Sequence, residues 1–323
     1  MTINSTVKPI ATRAAFGKAL AEAGAKNQNV VVLDADLSCS TKSQIFAQKF
    51  PDRFYQMGIA EANMIGTASG LALAGKIPFI CSFACFVTGR YDIIRISIAY
   101  SQANVKIVGT HAGIAVGPDG YSQMGLEDIT LMRALPSMGV LQPCDDIETE
   151  QAIHYLTLHH GPVYIRLTRQ NLPRLHADNY QFKYGKADIL RSGKDVSIIA
   201  TGALVAQAVE SAEILAKNGI QAEIINIHTI KPIDEKAIVE SAHKTGCVIT
   251  CEDHSVIGGL GSAVAEVLSG KCPTPIYRIG IQDEFGQSGS TEELYEYYKL
   301  TAKHIAAQTQ EFLKSKTKLH AMV

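Results

Sequence analysis

The sequence predicts an α/β protein of two consecutive domains, each a parallel sheet covered by helices on both faces, in three layers. Apolar runs of strand length alternate with amphipathic runs of helix length along the chain. A polar stretch of low periodicity, 171–185, divides this alternation into two series, and 323 residues fit two domains of ordinary size. Because strand–helix–strand units cross over right-handedly, both sheets are expected to be parallel.

The first series covers about residues 1–175. Its strands are almost continuous apolar runs, as is typical of strands buried on both faces. Asp34 and Asp36 follow one strand, and His111 follows another. Ligands bind beyond this edge of open parallel sheets, although either aspartate would serve equally well as a helix cap. The predicted elements are a helix over 12–25, strands over 30–33, 78–83, 105–110, 140–142 and 163–167, and helices between them.

The second series covers residues 186–323 and predicts a smaller α/β domain. Its last helix is expected to start near Ser290, because Ser290 and Glu293 have the spacing of a capping box. The other predicted elements are strands over 196–200, 222–227, 247–251 and 275–279, and helices over 204–217, 234–244 and 260–268.

The composition argues against several classes of protein. With a formal net charge of −1, no nucleic-acid or membrane surface is expected. The seven cysteines form no Cys-x-x-Cys pair, which fits a reducing compartment. The N-terminus lacks the apolar core of a secretion signal, and no apolar run is long enough to span a membrane. A soluble cytoplasmic protein is therefore expected, and no metal site is assigned to this chain.

The segment 55–78 is the part around which the chain is organised. It turns at Gly58 and continues as a predicted helix rich in small residues, which would let another element approach closely. Glu61 stands at the mouth of this helix, where a sheltered carboxyl group would hold or share a proton. A solvated first-turn glutamate, favoured by the helix dipole, is the simpler alternative. Beyond the next strand, Phe83 and Phe86 have the spacing to stack on a flat ring, although such pairs are more often core residues.

The segment 111–125 contains four glycines and predicts a long irregular loop at the end of a strand. Loops of that length are usually functional. This one offers the side chains of His111, Asp119 and Gln123 as hydrogen-bonding groups for a polyol. The alternative is a surface loop in which Asp119 and Gly120 only form a turn.

Together these residues match a known pattern. The segment Gly-Ile-Ala-Glu-Ala-Asn-Met around Glu61, the pair Phe83 and Phe86, and the segment His-Ala-Gly-Ile-Ala-Val-Gly-Pro-Asp-Gly resemble the pyrimidine-binding domain of transketolase and related thiamine-diphosphate enzymes. The second series is similar to the C-terminal domain of that family. The resemblance covers about residues 10–310, and its motifs are specific in combination.

The resemblance implies roles for particular residues. Glu61 would correspond to the glutamate that hydrogen-bonds the cofactor's aminopyrimidine ring and favours its imino tautomer. Phe83 and Phe86 would stack on that ring, and Asp36 and Ile59 would line the cofactor pocket. Glu61 and His111 are the implied catalytic residues. The implied substrate contacts are Arg13, Ser40, His111, Asp119 and Gln123.

Two positions depart from the family pattern. Transketolases have a histidine where this chain has Gln123, and glutamine cannot exchange a proton near neutral pH. They have a phosphate-binding arginine where this chain has Gln142. One of the family's two such arginines is then missing, which leaves open a differently placed or different anionic group on the substrate.

A Gly-Asp-Gly motif that holds Mg²⁺, and through it the cofactor's diphosphate, is typical of the family and is absent from this sequence. The resemblance therefore implies that a second polypeptide supplies the metal-binding N-terminal half. This chain would be the C-terminal subunit of a split transketolase, transferring a two-carbon ketol unit from a ketose to an aldose only with that partner. A heterotetramer with two copies of each subunit is expected, with self-association through the pyrimidine-binding domain, and the small-residue face of the Glu61 helix is an expected subunit contact.

Three alternatives remain at this point. The beta subunit of a 2-oxoacid dehydrogenase has a similar length and domain plan, but Cys-Ser-Phe-Ala-Cys-Phe stands here in place of its phenylalanine-rich segment. The segments Gly-Gly-Leu-Gly-Ser-Ala-Val-Ala-Glu and Met-Gly-Leu-Glu-Asp-Ile also resemble 1-deoxyxylulose-5-phosphate synthase. A non-catalytic binding subunit is the third, and Glu61 with both phenylalanines argues against it.

Overall fold

The computed structural model describes residues 7–320, with side chains described as far as residue 315. Its strands form a seven-stranded, a five-stranded and a two-stranded sheet. In chain order the strands are β1 (Ile10–Ala11), β2 (Val30–Asp34), β3 (Phe54–Gln56), β4 (Ile77–Phe83), β5 (Lys106–Thr110), β6 (Gly139–Leu141), β7 (Val163–Arg166), β8 (Asn171–Leu172), β9 (Asp188–Arg191), β10 (Val196–Ala200), β11 (Ala222–Asn226), β12 (Thr229–Lys231), β13 (Val248–Ser255) and β14 (Ile276–Ile281).

Helices cover both faces of the two larger sheets. The α-helices are α1 (Thr12–Lys26), α2 (Ser38–Thr41), α3 (Gln44–Lys49), α4 (Glu61–Leu73), α5 (Ala84–Thr88), α6 (Tyr91–Ile93), α7 (Asp128–Ala134), α8 (Asp146–Leu156), α9 (Leu204–Lys217), α10 (Glu235–Thr245), α11 (Leu260–Lys271), α12 (Thr291–Tyr297) and α13 (Ala302–His320). A π-helix follows α6 at Ile94–Tyr100, and 3₁₀ turns occupy Pro51–Arg53, Ile114–Asp119 and Tyr121–Gln123.

The seven-stranded sheet has the order β12-β6-β7-β5-β4-β2-β3, and its neighbours from β6 to β3 pair in parallel. Alternate residues of β2 enter different cores: Val30 and Val32 pack with α1 and α8, whereas Val31 and Leu33 pack with α4 and α7. This arrangement gives the three layers that the continuous apolar runs predict, because a strand buried on both faces needs no polar side.

The outermost strand of this sheet, β12, comes from the second half of the chain. It pairs antiparallel with β6, with Thr229 opposite Leu141. The two halves are therefore joined by backbone hydrogen bonds as well as by side-chain packing. The alternation of apolar runs gave no sign of β12, because the strand has only three residues and follows β11 after two residues.

The five-stranded sheet has the order β14-β13-β10-β11-β9, parallel except for the antiparallel edge strand β9. The structure confirms the α/β class, and it adds the antiparallel edge strands β9 and β12 to the two predicted parallel sheets. The predicted capping box is present: Ser290 and Glu293 exchange both hydrogen bonds at the start of α12, but this helix is not the last one, because α13 follows it. Within residues 7–320, no helix is long and apolar enough to cross a membrane.

The segment between the two series is anchored by a buried histidine. His176 lies 2.9 Å from Asp145 through Nδ1 and 3.0 Å from Asp188 through Nε2. Burial alone would lower its pKa, but these hydrogen bonds and the charge of Glu148 outweigh that effect and raise the pKa to about 10. The imidazolium therefore ties the linker to α8 of the first half and to β9 of the second.

Candidate active site

Glu61 is the first residue of α4, and only 6% of it is exposed. The preceding turn at Gly58 has a φ of 69°, a left-handed conformation that suits glycine. The hydroxyl of Ser82 donates a long hydrogen bond, 3.4 Å, to the Glu61 carboxylate. No cation forms an ion pair with Glu61 among the residues that the structure describes. The carboxyl group is therefore buried, yet it keeps hydrogen-bonding capacity for another partner.

Three rings pack together where β4 and β5 end, and the first of them, Phe83, follows Ser82, the hydrogen-bond partner of Glu61. Phe83 and Phe86 stack with centroids 5.5 Å apart and planes 9° apart, and Phe83 also stacks on His111 at 3.7 Å. Phe83 is buried, whereas Phe86 is half-buried. The structure thus brings together the predicted pair and the predicted histidine, with Phe83 supporting the imidazole.

His111 has a φ of 55°, an uncommon conformation for a residue with a Cβ. Its Nε2 lies 2.9 Å from Nη1 of Arg13, and its Nδ1 lies 2.9 Å from Oγ1 of Thr110. Because a guanidinium only donates, Nε2 accepts and Nδ1 carries the hydrogen. Burial, followed by the charges of Arg13, Arg169 and Lys42, lowers the pKa of His111 to about 3. The imidazole is therefore neutral at physiological pH.

Two of these cations, Arg13 and Arg169, keep donors that an anion could use. Arg13, on α1, also donates to the backbone carbonyl of Ser40 at 2.8 Å, and its buried Nε has no partner among the described residues. Burial and the neighbouring Arg169 lower the pKa of Arg13. Arg169 donates to the carbonyl of Val116 at 2.7 Å and to Asp119 at 3.2 Å. Two guanidiniums with spare donors favour binding of a phosphate or sulfonate.

Asp34 organises the turn between β2 and α2, the short helix that contains Ser40. Its carboxylate accepts hydrogen bonds from the amide of Leu37 at 2.6 Å and from the hydroxyls of Thr41 and Ser43 at 2.8 Å each. The residue is fully buried, and burial raises its pKa although the hydrogen bonds oppose this. Asp34 thus shapes the turn into α2, but it does not cap that helix as the capping alternative predicts: the N-cap residue is Leu37, and no side chain among the described residues caps the helix.

The other predicted site residues are exposed or half-buried. Asp36 is exposed with a φ of 64°, and its amide donates to the side chain of Gln56. Ile59 is 85% exposed, so no side chain that the structure describes covers it. Asp119 forms an ion pair with Arg169, and Gln123 is half-buried and close to Ser122.

Gln142 is buried elsewhere. Its amide donates to Asp253 of the second half at 3.2 Å, and its backbone bonds to His228. Glutamine at position 142, in place of the family's arginine, therefore removes no positive charge from the neighbourhood of Arg13. Arg169 is the second arginine there. Sequence reasoning missed Arg169, although it follows β7 at the same edge of the sheet as His111, a signal that could have identified it.

Comparisons with known proteins agree with this geometry. Residues 8–174 match the model of the transketolase pyrimidine binding domain, and residues 185–305 match that of the transketolase C-terminal domain. The chain belongs to the transketolase family. A transketolase C-terminal section from Methanocaldococcus jannaschii is 49% identical over 306 residues, 94% of this chain and 96% of that protein. The subunit SqwH of a 6-deoxy-6-sulfo-D-fructose transketolase from Clostridium sp. is 47% identical, covering 92% of both.

A solved structure described as a split gene transketolase, inactive beta4 tetramer, superposes with a TM-score of 0.87 at 47% identity, over 95% of this chain and 99% of that one. This chain is therefore a C-terminal subunit of the split-transketolase type, a transferase subunit that works with a partner. The relatives named here do not favour a 2-oxoacid dehydrogenase or a 1-deoxyxylulose-5-phosphate synthase.

Proposed function

We propose that this transketolase subunit uses thiamine diphosphate, bound between it and a partner subunit, to transfer a two-carbon ketol unit from a ketose to an aldose. The observation that carries this proposal is Glu61, a buried carboxyl group that bonds to Ser82, the residue next to the stacked Phe83, and that keeps hydrogen-bonding capacity to spare. A carboxyl group in such a place can share a proton with a ring nitrogen.

The residues of this chain fit the pyrimidine end of thiamine diphosphate. Glu61 would hydrogen-bond the ring, Phe86 offers a half-buried ring for stacking, and Asp36 and Ile59 would line the outer part of the pocket. When bound, the cofactor supplies the electron sink for the reaction. The part of this chain is to hold a proton at Glu61 and to keep water away from it, together with the neutral imidazole of His111.

The substrate would be a sugar with an anionic group at the end remote from the ketol. The charges of Arg13 and Arg169, with Ser40 beside them, favour that group, while His111, Asp119 and Gln123 would contact hydroxyls. Two relatives are named for 6-deoxy-6-sulfo-D-fructose and for apulose-4-phosphate. The first of these sugars carries a sulfonate, and the second carries a phosphate. Both groups present several acceptor oxygens, which suits two guanidiniums.

The partner would be an N-terminal subunit with a Gly-Asp-Gly motif that holds Mg²⁺ and the diphosphate, since this sequence has no such motif. Self-association would use the exposed face of α4, where a Cβ on Gly66 or Gly70 would meet no atom within 4 Å. The complex would be a heterotetramer with two copies of each subunit. Seven free cysteines support a cytoplasmic location.

The experiment is reconstitution. This chain, the partner subunit, thiamine diphosphate and Mg²⁺ are mixed, and ketose-to-aldose transfer is compared with decarboxylation of a 2-oxoacid. Transfer is expected only with both subunits present. If the complex decarboxylates pyruvate but transfers no ketol unit, the proposed function is wrong and the 2-oxoacid dehydrogenase reaction replaces it. Tight cofactor binding and turnover by the pure chain would contradict the split-enzyme arrangement.

A further inference from the structure

Arg166, the last residue of β7, is fully buried where the two halves of the chain meet. Its guanidinium uses every nitrogen: Nε donates to Asp128 at 2.9 Å, Nη1 to Asp253 at 2.7 Å, and Nη2 to the carbonyl of Gly125 at 2.9 Å and that of Asp253 at 3.1 Å. Gly125 ends the loop 111–125, and Asp253 belongs to β13 of the second half. One planar group thus fixes the end of that loop to the other domain.

The start of the loop is held by the same groups. The amide of Gly113 donates to the carbonyl of Gly125 at 2.9 Å, so the two ends of the loop are bonded to each other. A Cβ built on Gly113 would lie 2.0 Å from Oδ2 of Asp253, which shows how closely that carboxylate approaches the backbone. Oδ2 is buried and has no hydrogen-bond partner among the described residues, so its contact with this part of the loop is one of packing on Gly113, while Oδ1 bonds to Arg166.

Further contacts run from the second half to the same loop. The amide of Ser255 donates to the carbonyl of Leu126 at 2.9 Å. Tyr121 packs edge-on against Phe285, with centroids 4.6 Å apart. A Cβ on Gly120 would meet the hydroxyl of Ser288 at 2.6 Å. The loop is therefore enclosed by the C-terminal domain over most of its length.

We propose that Asp253 of the C-terminal domain is a positioning residue, which acts through Arg166 to hold the loop 111–125 so that His111 and Asp119 meet the substrate. This inference rests on the proposed function for its kinetic consequence, but its structural part concerns this chain alone. It assigns the second domain a task in the reaction through a residue that lies outside the predicted substrate contacts.

Hydrogen exchange on the full chain tests the structural part. Asp253→Ala removes the acceptor for Nη1, so exchange of the amides in 112–126 is expected to accelerate about 10-fold or more, as local opening becomes easier. Asp253→Asn keeps a side-chain oxygen and is expected to remain within about 3-fold of wild type, since a neutral acceptor still bonds the guanidinium. If Ala prevents folding, Asp253→Ser takes its place: its hydroxyl is too short to reach Nη1 of Arg166, so the same acceleration of exchange in 112–126 is expected.

Glu223→Gln is the matched control. Glu223 is another buried carboxylate of the same sheet, bonded to Ser241 at 2.6 Å and paired with Lys244, with all these contacts inside the second half. This control is expected to leave exchange in 112–126 unchanged. Equal exchange in wild type and Asp253→Ala, or equal acceleration in both Asp253→Ala and Glu223→Gln, would overturn the proposal.

The kinetic part uses the assembled complex with its cofactor. Asp253→Ala is expected to raise the KM for the ketose about 10-fold, because misplaced binding groups lose substrate contacts, while the Kd for thiamine diphosphate stays within about 2-fold. A merely structural role would lower kcat through loss of active enzyme and leave KM unchanged, and that result would overturn the positioning role. If the wild-type complex shows no ketol transfer, the proposed function fails, whereas the exchange experiment still decides whether Asp253 holds the loop.

Discussion

The chemistry proposed for this subunit depends on the carboxyl group of Glu61. Glu61→Gln keeps the size of the side chain and its contact with Ser82, so the melting temperature is expected to change little. Transfer should fall by about 10²–10⁴-fold, the usual contribution of a general acid or base. Steady-state kinetics of the reconstituted complex measure this effect. A variant with near-normal rates would remove Glu61 from the mechanism.

Arg13 and Arg169 are expected to select anionic substrates. Arg13→Ala should raise the KM for phosphorylated or sulfonated sugars about 10–100-fold, since a hydrogen bond to a charged group contributes about 1.5–3 kcal/mol. Uncharged sugars should be affected much less, and comparing the two groups of substrates measures selectivity. Arg191→Ala, which removes a surface arginine paired with Glu213, is the control. Equal losses on charged and uncharged sugars would contradict an anion contact.

The arginine site also illustrates how far residues can be assigned from sequence. Glu61, Phe83, Phe86 and His111 could be selected because each follows a strand or opens a helix in a recognisable motif. Gln142 could not be placed, because its role depends on Asp253, a residue 111 positions away. A charged residue inside an apolar run, such as Arg166, signals burial, but its partners depend on tertiary contacts.

At the scale of elements, the linker should confer a pH dependence on stability. The folded chain holds the proton of His176 to about pH 10, whereas the ordinary pKa is 6.5. Its stabilisation is therefore complete below about pH 6.5 and is lost as the pH rises towards 10. His176→Asn should lower the free energy of unfolding at pH 6 and flatten its decline between pH 7 and 10. Denaturant titrations over this range measure it.

His154→Asn, on the surface of α8, is the control for that series. It should keep the wild-type decline between pH 7 and 10. If His176→Asn declines as steeply as wild type over the same range, the ion pairs with Asp145 and Asp188 do not hold the linker in the way described.

The exposed face of α4 should carry the contact between copies of the subunit. Leu73, at its C-terminal end, is 73% exposed, and space around Gly70 is open. Gly70→Leu should therefore fold normally, and replacing a helical glycine should raise stability by about 0.5–1 kcal/mol. Sedimentation velocity should show a smaller assembly. Gly270→Leu, at another open glycine on α11, is the control; an unchanged assembly in both variants would rule out the α4 contact.

Elements that are long and strongly patterned were predictable, and those that depend on distant partners were not. The apolar runs predicted β2, β4, β5 and β10 because their burial on both faces dictates continuous hydrophobic sequence. The strands β3 and β12 have three residues each, too few to show a period. Their pairing is determined by the sheet edge that they meet.

At the scale of the molecule, the two halves should unfold together. One apolar cluster contains Val31 and Met64 of the first half with Ile225 and Leu260 of the second. Calorimetry of the full chain should therefore give one transition, with the calorimetric enthalpy close to the van't Hoff value of the cooperative unit. Two resolved transitions would show that the interface does not couple the halves.

The placement of β12 has a consequence for any attempt to divide this chain. A break between residues 175 and 186 would fall between two family domains, yet it would strip the first sheet of its outermost strand and leave the backbone of β6 without that partner. Uncovered strand borders recruit other chains. Fragments cut there should aggregate when produced separately and become soluble when coexpressed, because β12 can then complete the first sheet.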